Sequence, residues 1–143
     1  MANTVQILPS RVDQPIILIV DDEPTIVDLV RIVLEAEGYS ILAAANGEEA
    51  LMLSRTFPGT IHLFVVDVDM PKLDGLQLRE RLREERPATR VLLMSGRVPV
   101  AADQAFLPKP FGLACLRTRV RQMLLASLGA QELEGSCQRD SAA

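Results

Sequence analysis

Apolar residues along the chain follow two alternating patterns, short continuous runs and longer stretches in which they recur every three or four positions. Continuous aliphatic runs are typical of strands that are buried on both faces of a parallel sheet. Recurrence every three or four positions is typical of one face of an amphipathic helix. The predicted strands are residues 16–20, 39–45, 63–66, 91–94 and 105–107, and the predicted helices are residues 24–37, 47–55, 76–85 and 113–128.

The strict alternation of strands and helices predicts an α/β fold with a doubly wound, five-stranded parallel sheet. The length of 143 residues suits one domain, and 48% hydrophobic with 24% charged residues is ordinary for a globular protein. We assign the domain to residues 15–128, with an N-terminal arm at residues 1–14 and a polar C-terminal tail at residues 129–143.

Local signals mark the ends of two of the predicted helices. Pro24 suits the first turn of a helix, where its missing N–H leaves no hydrogen bond unmade, and Gly38 suits the position just after the last turn. Asn46 is a candidate N-cap for the next helix. These signals agree with the boundaries that the apolar pattern predicts.

Residues with phosphate or metal chemistry follow four of the five predicted strands. Asp21 and Asp22 follow the first strand, Asp67 the third, Ser95 the fourth and Lys109 the fifth. Right-handed crossovers bring these strand ends to one edge of the sheet, which is where ligands bind in such folds. Three carboxylates meeting there would repel one another without a cation, and hard oxygen ligands suit Mg²⁺ rather than zinc.

This combination of groups fits phosphoryl transfer onto Asp67. A carboxylate supplies the nucleophile, while Lys109, the hydroxyl of Ser95 and the metal each take charge on an equatorial phosphoryl oxygen. A phosphate added there would bring a charge of about −1.5 to −2, enough to reposition a hydroxyl and whatever packs behind it.

Four segments carry a resemblance to a known family: IVDD, DVDMPKLDG, MSG and FLPKPF, in this order. Residues 15–126 resemble the receiver (CheY-like) domain of bacterial two-component response regulators, either stand-alone or part of a hybrid kinase. The resemblance implies a flavodoxin-like fold. It also implies that Asp67 accepts a phosphoryl group from a histidine kinase or a histidine phosphotransfer protein, with Ser95 and Lys109 binding the phosphoryl oxygens.

The same resemblance implies a metal site and a switch residue. Asp22 and Asp67 would hold Mg²⁺ directly, Asp21 through water, and the backbone carbonyl of Asp69 would complete the protein ligands. Phe106 matches the aromatic position whose rotamer follows the hydroxyl residue when the family changes state. The domain would then be no enzyme beyond catalysing its own Mg²⁺-dependent phosphorylation and dephosphorylation.

The segment between Ser95 and Phe106, GRVPVAADQA, departs from the family pattern because it is short and contains Pro99. It has room for one turn, around residues 101–104, so the fourth helix of the family is predicted to be truncated or missing. Similar shortening occurs in receivers attached to hybrid sensor kinases. The loss puts the usual dimerisation mode and the switch at Phe106 in question.

Charge and composition limit the partners. A net charge of −4 gives no footprint for nucleic acid, and residues after 128 leave no room for a DNA-binding output domain. Without an output domain, we expect the signal to leave through contacts with a downstream protein partner or through onward transfer of the phosphate. Neither a signal peptide nor an apolar run long enough for a membrane span is present, so we expect a cytoplasmic protein. Cys115 and Cys137 have no metal-ligand spacing.

Two other interpretations remain. Asp67-Val68-Asp69 resembles the DxD motif of haloacid-dehalogenase-type phosphatases, although Pro71 stands where that family expects Thr or Val. The paired acidic residues of that family also follow its nucleophile, whereas Asp21 and Asp22 precede Asp67. The second alternative is a binding module with the receiver fold that acts without phosphorylation.

Overall fold

The five apolar runs form one parallel sheet in the computed structural model, which describes residues 14–96 and 106–127. The strand order is β2-β1-β3-β4-β5, and every neighbouring pair is parallel. This order confirms the predicted doubly wound, flavodoxin-like sheet. The elements are β1 Ile16–Val20, α1 Pro24–Ala36, β2 Ser40–Ala44, α2 Gly47–Thr56, β3 Leu63–Asp67, α3 Gly75–Glu85, β4 Arg90–Ser95, β5 Phe106–Pro108 and α4 Leu113–Ser127.

The central strands are continuously apolar because both faces of the sheet are covered. Side chains alternate between faces along a strand, so Ile17 and Ile19 pack in one core and Leu18 and Val20 in the other. Helices α1 and α4 cover the first core, and α2 and α3 cover the second. The sheet is therefore held rigidly between two layers, and its strand ends are fixed in position.

The predicted helix ends agree with the structure. Gly38 follows α1 with a φ of 100°, a left-handed conformation that favours glycine. The side chain of Asn46 accepts a hydrogen bond of 2.8 Å from the backbone N–H of Glu49 at the start of α2. At α3 a capping box appears that the sequence analysis did not name: Asp74 accepts from the Gln77 N–H at 2.9 Å, and the Gln77 side chain accepts from the Asp74 N–H at 3.2 Å.

Most predicted bounds differ from the structure by one residue, and two leucines are more exposed than the apolar pattern predicts. The recurrence of apolar residues every three or four positions includes Leu29 in α1 and Leu113 in α4 and predicts that both face the core, but they are 38% and 39% exposed. Strand β5 ends at Pro108 rather than at Leu107. A proline is tolerated there because β5 is an edge strand, where a missing N–H breaks no pairing on the open side.

Several predictions concern residues outside the described ranges. These are the N-terminal arm up to residue 13, the shortened crossover at residues 97–105 and the tail after residue 127. Within the described ranges, no helix is both long enough and apolar enough to span a bilayer.

Candidate functional site

Three aspartates meet where β1 and β3 lie side by side. Asp21 follows β1 directly, and its backbone N–H continues the pairing with β2 by donating to the Ala44 carbonyl at 3.2 Å. Asp67 is the last residue of β3. One carboxylate oxygen from each of Asp21, Asp22 and Asp67 lies within 4.8 Å of the others. Asp21 and Asp67 are buried, whereas Asp22 is exposed, so the cluster has a buried floor and an open side.

The ammonium of Lys109 joins two of these carboxylates. Its Nζ lies 3.2 Å from Asp21 Oδ2 and 3.2 Å from Asp67 Oδ1. The backbone fixes this lysine, because its N–H donates to the Ser95 carbonyl at 2.8 Å just beyond the end of β5. Among the residues that the structure describes, the Lys109 ammonium thus contacts two of the three clustered carboxylates.

Burial and the neighbouring charges together set the pKa directions at this site. Burial, and then the neighbouring Asp21 carboxylate, raise the pKa of Asp67 above its ordinary value, and Lys109 only partly offsets them. Burial by itself would lower the pKa of Lys109, but Asp21 and Asp67 outweigh burial and raise it. The two carboxylates that Lys109 contacts therefore favour its protonated ammonium.

The donor set fits a divalent metal ion. Three carboxylates around a partly open space supply hard oxygen ligands and leave room for water, as Mg²⁺ requires. A cleft of about 240 Å³ opens beside Asp21 and Asp22, between α1 and the end of β2. The structure thus brings together Asp21, Asp22 and Asp67 as predicted, while the part of the Asp69 carbonyl as a metal ligand stays a prediction.

Ser95 also lies at this edge, but its hydroxyl is engaged by a side chain that the sequence analysis did not consider. Ser95 Oγ donates to Asp69 Oδ2 at 3.2 Å, and the Gly96 N–H donates to the same oxygen at 3.3 Å. The Asp69 N–H in turn donates to Asp67 Oδ1 at 3.2 Å. The two-residue spacing places Asp69 close to Asp67 but gives no signal for this contact, because β3 ends at Asp67 and the chain bends at Val68.

Gly75 allows α3 to start directly behind Asp67. A Cβ at this position would lie 2.5 Å from the Asp67 carbonyl oxygen and 2.6 Å from Val68 Cα. The Gly75 N–H donates to the Val68 carbonyl at 3.2 Å. The sequence indicated only a turn here, whereas the structure shows a close approach of two backbones.

Comparison with known proteins identifies the family of this chain. Residues 17–121 match the profile of the response regulator receiver domain. The chain belongs to the response regulator receiver family. Receivers are signalling domains of two-component systems, and as a family they bind Mg²⁺ at an acidic pocket.

Three relatives illustrate the similarity of this receiver to known proteins. It is 37% identical over 120 residues to the sensor kinase CckA of Brucella abortus, covering 76% of this chain and 12% of the kinase. The crystal structure of the receiver domain from the hybrid histidine kinase CckA is 38% identical, with a TM-score of 0.69 over 76% of this chain and 98% of that one. The response regulator TrrA of Thermotoga maritima, solved in complex with Mg²⁺-BeF, is 32% identical, with a TM-score of 0.69 over 78% of this chain and 100% of that one.

The match covers only part of most curated relatives. The receiver spans about an eighth of the sensor kinase and about half the length of the response regulator and the transcriptional regulatory proteins that it also matches.

Phe106 opens β5 opposite Leu93 and is half-buried against the core that α2 and α3 cover. It therefore sits on the strand next to Ser95. Its function as the switch residue of this receiver stays a prediction.

Proposed function

We propose that this receiver accepts a phosphoryl group from a phosphohistidine onto Asp67, with Mg²⁺, and signals through contacts with other proteins. The observation that carries the proposal is the position of Asp67. Its carboxylate is buried at the end of β3, within 4.8 Å of the other two carboxylates of the cluster and 3.2 Å from the ammonium of Lys109. This is the environment that a carboxylate nucleophile for phosphoryl transfer requires.

In the proposed reaction, a carboxylate oxygen of Asp67 attacks phosphorus in line with the donor imidazole. The new O–P bond forms as the N–P bond breaks, and the electron pair of that bond stays on the imidazole nitrogen, which then takes up a proton. Asp67 becomes an acyl phosphate. The raised pKa of Asp67 makes its ionised carboxylate a more basic nucleophile than an ordinary aspartate.

Lys109 and Ser95 serve the transferring group. The Lys109 ammonium contacts the Asp67 carboxylate before the transfer and is close enough to contact a phosphoryl oxygen after it. The Ser95 hydroxyl would donate one hydrogen bond to another phosphoryl oxygen. Asp21, Asp22 and Asp67, with the carbonyl of Asp69, would hold Mg²⁺, which when bound offsets the charge of the carboxylates and of the phosphoryl oxygens. The Mg²⁺-BeF complex of TrrA supports this assignment.

The proposed partners are a histidine kinase or a histidine phosphotransfer protein as donor and a downstream protein that recognises the phosphorylated receiver. The similarity to the CckA receivers supports a kinase-linked pathway. A cytoplasmic location belongs to the proposal, because histidine kinases take their phosphoryl groups from ATP there. The added phosphoryl charge of about −1.5 to −2 supplies the change that a partner would sense.

The test is intact mass spectrometry after incubation with acetyl phosphate and Mg²⁺, and in parallel with a phosphorylated histidine phosphotransfer protein. We expect one phosphoryl adduct that disappears with EDTA and in Asp67→Asn. Asp28→Asn, which removes an exposed carboxylate from α1, is the matched control and should keep the adduct. An adduct on Asp67→Asn, or no adduct from either donor, would overturn the proposal, and the second result would favour a phosphorylation-independent binding module.

A further inference from the structure

We propose that the carboxylate of Asp69 is an internal competitor for the phosphoryl group. It accepts hydrogen bonds from the Ser95 hydroxyl and the Gly96 N–H, two donors at the mouth of the site, and so restrains phosphorylation of Asp67. The inference rests on the proposed function of Asp67. Asp69 is a positioning residue in this account, because it acts through Ser95.

The geometry places Asp69 between the acceptor and the hydroxyl. In the pairing of β3 with β4, Asp67 lies opposite Met94, so Ser95 stands one residue further along the neighbouring strand. Asp69 bridges the two strand ends, since its N–H donates to Asp67 Oδ1 at 3.2 Å and its Oδ2 accepts from Ser95 Oγ at 3.2 Å. The Gly96 N–H reaches the same Oδ2 at 3.3 Å. Ser95 is only 2% exposed, so little water competes for its hydroxyl.

The Ser95 hydroxyl cannot donate to Asp69 Oδ2 and to a phosphoryl oxygen at the same time. A serine hydroxyl has one proton to donate, and a backbone amide has one. A phosphoryl oxygen can receive the Ser95 proton only after Asp69 Oδ2 has given it up. The phosphoryl charge would also repel the Asp69 carboxylate, so phosphorylation and the Asp69–Ser95 contact oppose each other.

The experiment measures the rate of adduct formation from acetyl phosphate and Mg²⁺ in wild type, Asp69→Ala and Asp69→Asn. Asp69→Ala removes both the acceptor and the charge, and we expect it to react about fivefold faster, the size of effect that one hydrogen bond produces. Asp69→Asn keeps a neutral amide oxygen that still accepts from Ser95 and Gly96, so it should fall between the other two. Equal rates for Asp69→Asn and Asp69→Ala would mean that charge alone acts, and would overturn the competitor account.

If Asp69 competes for the Ser95 hydroxyl, the acceleration by Asp69→Ala should depend on that hydroxyl. If Asp69→Ala only loosens the loop after β3, the acceleration should not depend on it. In a Ser95→Ala background, Asp69→Ala should give a clearly smaller acceleration, because one of the two donors is already gone. The same acceleration in both backgrounds, or a slower reaction of Asp69→Ala, would contradict the inference. Asp28→Ala, which removes a nearby exposed carboxylate with no bond to Ser95, should react within about twofold of wild type.

The outcomes keep the two proposals apart. Failure of wild type and all variants to form an adduct with either donor would overturn the proposed function, and this inference with it. An adduct that depends on Asp67 but forms at the same rate in wild type and Asp69→Ala would leave the proposed function standing and overturn the competitor. Urea unfolding of each variant verifies that the rates compare folded proteins.

Discussion

The two edges of the sheet differ in how their charged side chains are compensated. At the amino ends of β3 and β4, the guanidinium of Arg86 donates to the carbonyls of Ser54, Phe57 and Gly59 and to the Ser54 hydroxyl, at 2.7–3.2 Å. At the carboxyl ends, the carboxylates of Asp21, Asp22 and Asp67 lie together, and the ammonium of Lys109 contacts two of them, Asp21 and Asp67.

This difference indicates that the amino-end edge stabilises the fold and that the carboxyl-end edge is suited to binding a ligand. Arg86 meets carbonyls at the C-terminal end of α2, where the helix dipole favours positive charge, so its interactions are mutually favourable. The raised pKa of Asp67 shows the opposite at the other edge, where the folded state disfavours the ionised carboxylate. We therefore expect substitutions to destabilise the protein at the first edge and to stabilise it at the second.

The largest expected effect comes from Arg86→Ala. It would leave three carbonyls and a hydroxyl without their donor and lower the free energy of unfolding by about 3 kcal/mol. Arg83→Ala, in the last turn of α3, removes an exposed pair with Glu80 at 3.6 Å and should change stability by less than about 0.5 kcal/mol. Urea unfolding measures both, and equal losses in the two variants would contradict a special contribution from Arg86.

The next effect is the response to Mg²⁺. An ion that binds the folded protein alone should raise the free energy of unfolding, by about 2.7 kcal/mol at a concentration one hundred times Kd. We expect most of this gain to disappear in Asp22→Asn and to persist in Asp28→Asn, as followed by the Tm with and without the metal. If Mg²⁺ raised the Tm of Asp22→Asn as much as that of wild type, the metal would bind at another site.

The smallest expected effect is a stabilisation by Asp67→Asn in EDTA. Because the folded state raises the pKa of Asp67, the folded state binds its proton more tightly than the unfolded state does. Ionised Asp67 thus destabilises the fold at pH 7, so the neutral isostere should raise the free energy of unfolding and the Tm, as measured by urea and thermal unfolding.

The pH dependence gives the sign of that effect a separate test. The penalty is complete above the raised pKa, shrinks as the pH falls through it and vanishes below the ordinary pKa of 3.8. The gap between wild type and Asp67→Asn in urea unfolding should therefore narrow with acidification. A gap that widens as the pH falls would mean that the carboxylate stabilises the fold.

The fold and the cluster could be predicted because both follow from regular patterns. Continuous apolar runs mark strands covered on both faces, and parallel strands bring their carboxyl ends together, so Asp21, Asp67 and Lys109 had to meet. Arg86 gave no such signal, since its acceptors lie at the end of α2 and in the loop that follows, and no periodic pattern of the sequence encodes the path of that loop. Sequence reasoning likewise placed Asp69 by its backbone carbonyl alone, because which group its side chain reaches depends on how the chain turns after β3.

The most direct test of the central claim maps the phosphoryl group. The receiver is phosphorylated by a phosphorylated histidine phosphotransfer protein with Mg²⁺ and then reduced with borohydride, which converts an acyl phosphate of aspartate into homoserine. We predict homoserine at position 67 alone, and none when EDTA is present during phosphorylation. Homoserine at Asp21, Asp22 or Asp69 instead, or at no position, would contradict the assignment of Asp67 as the acceptor.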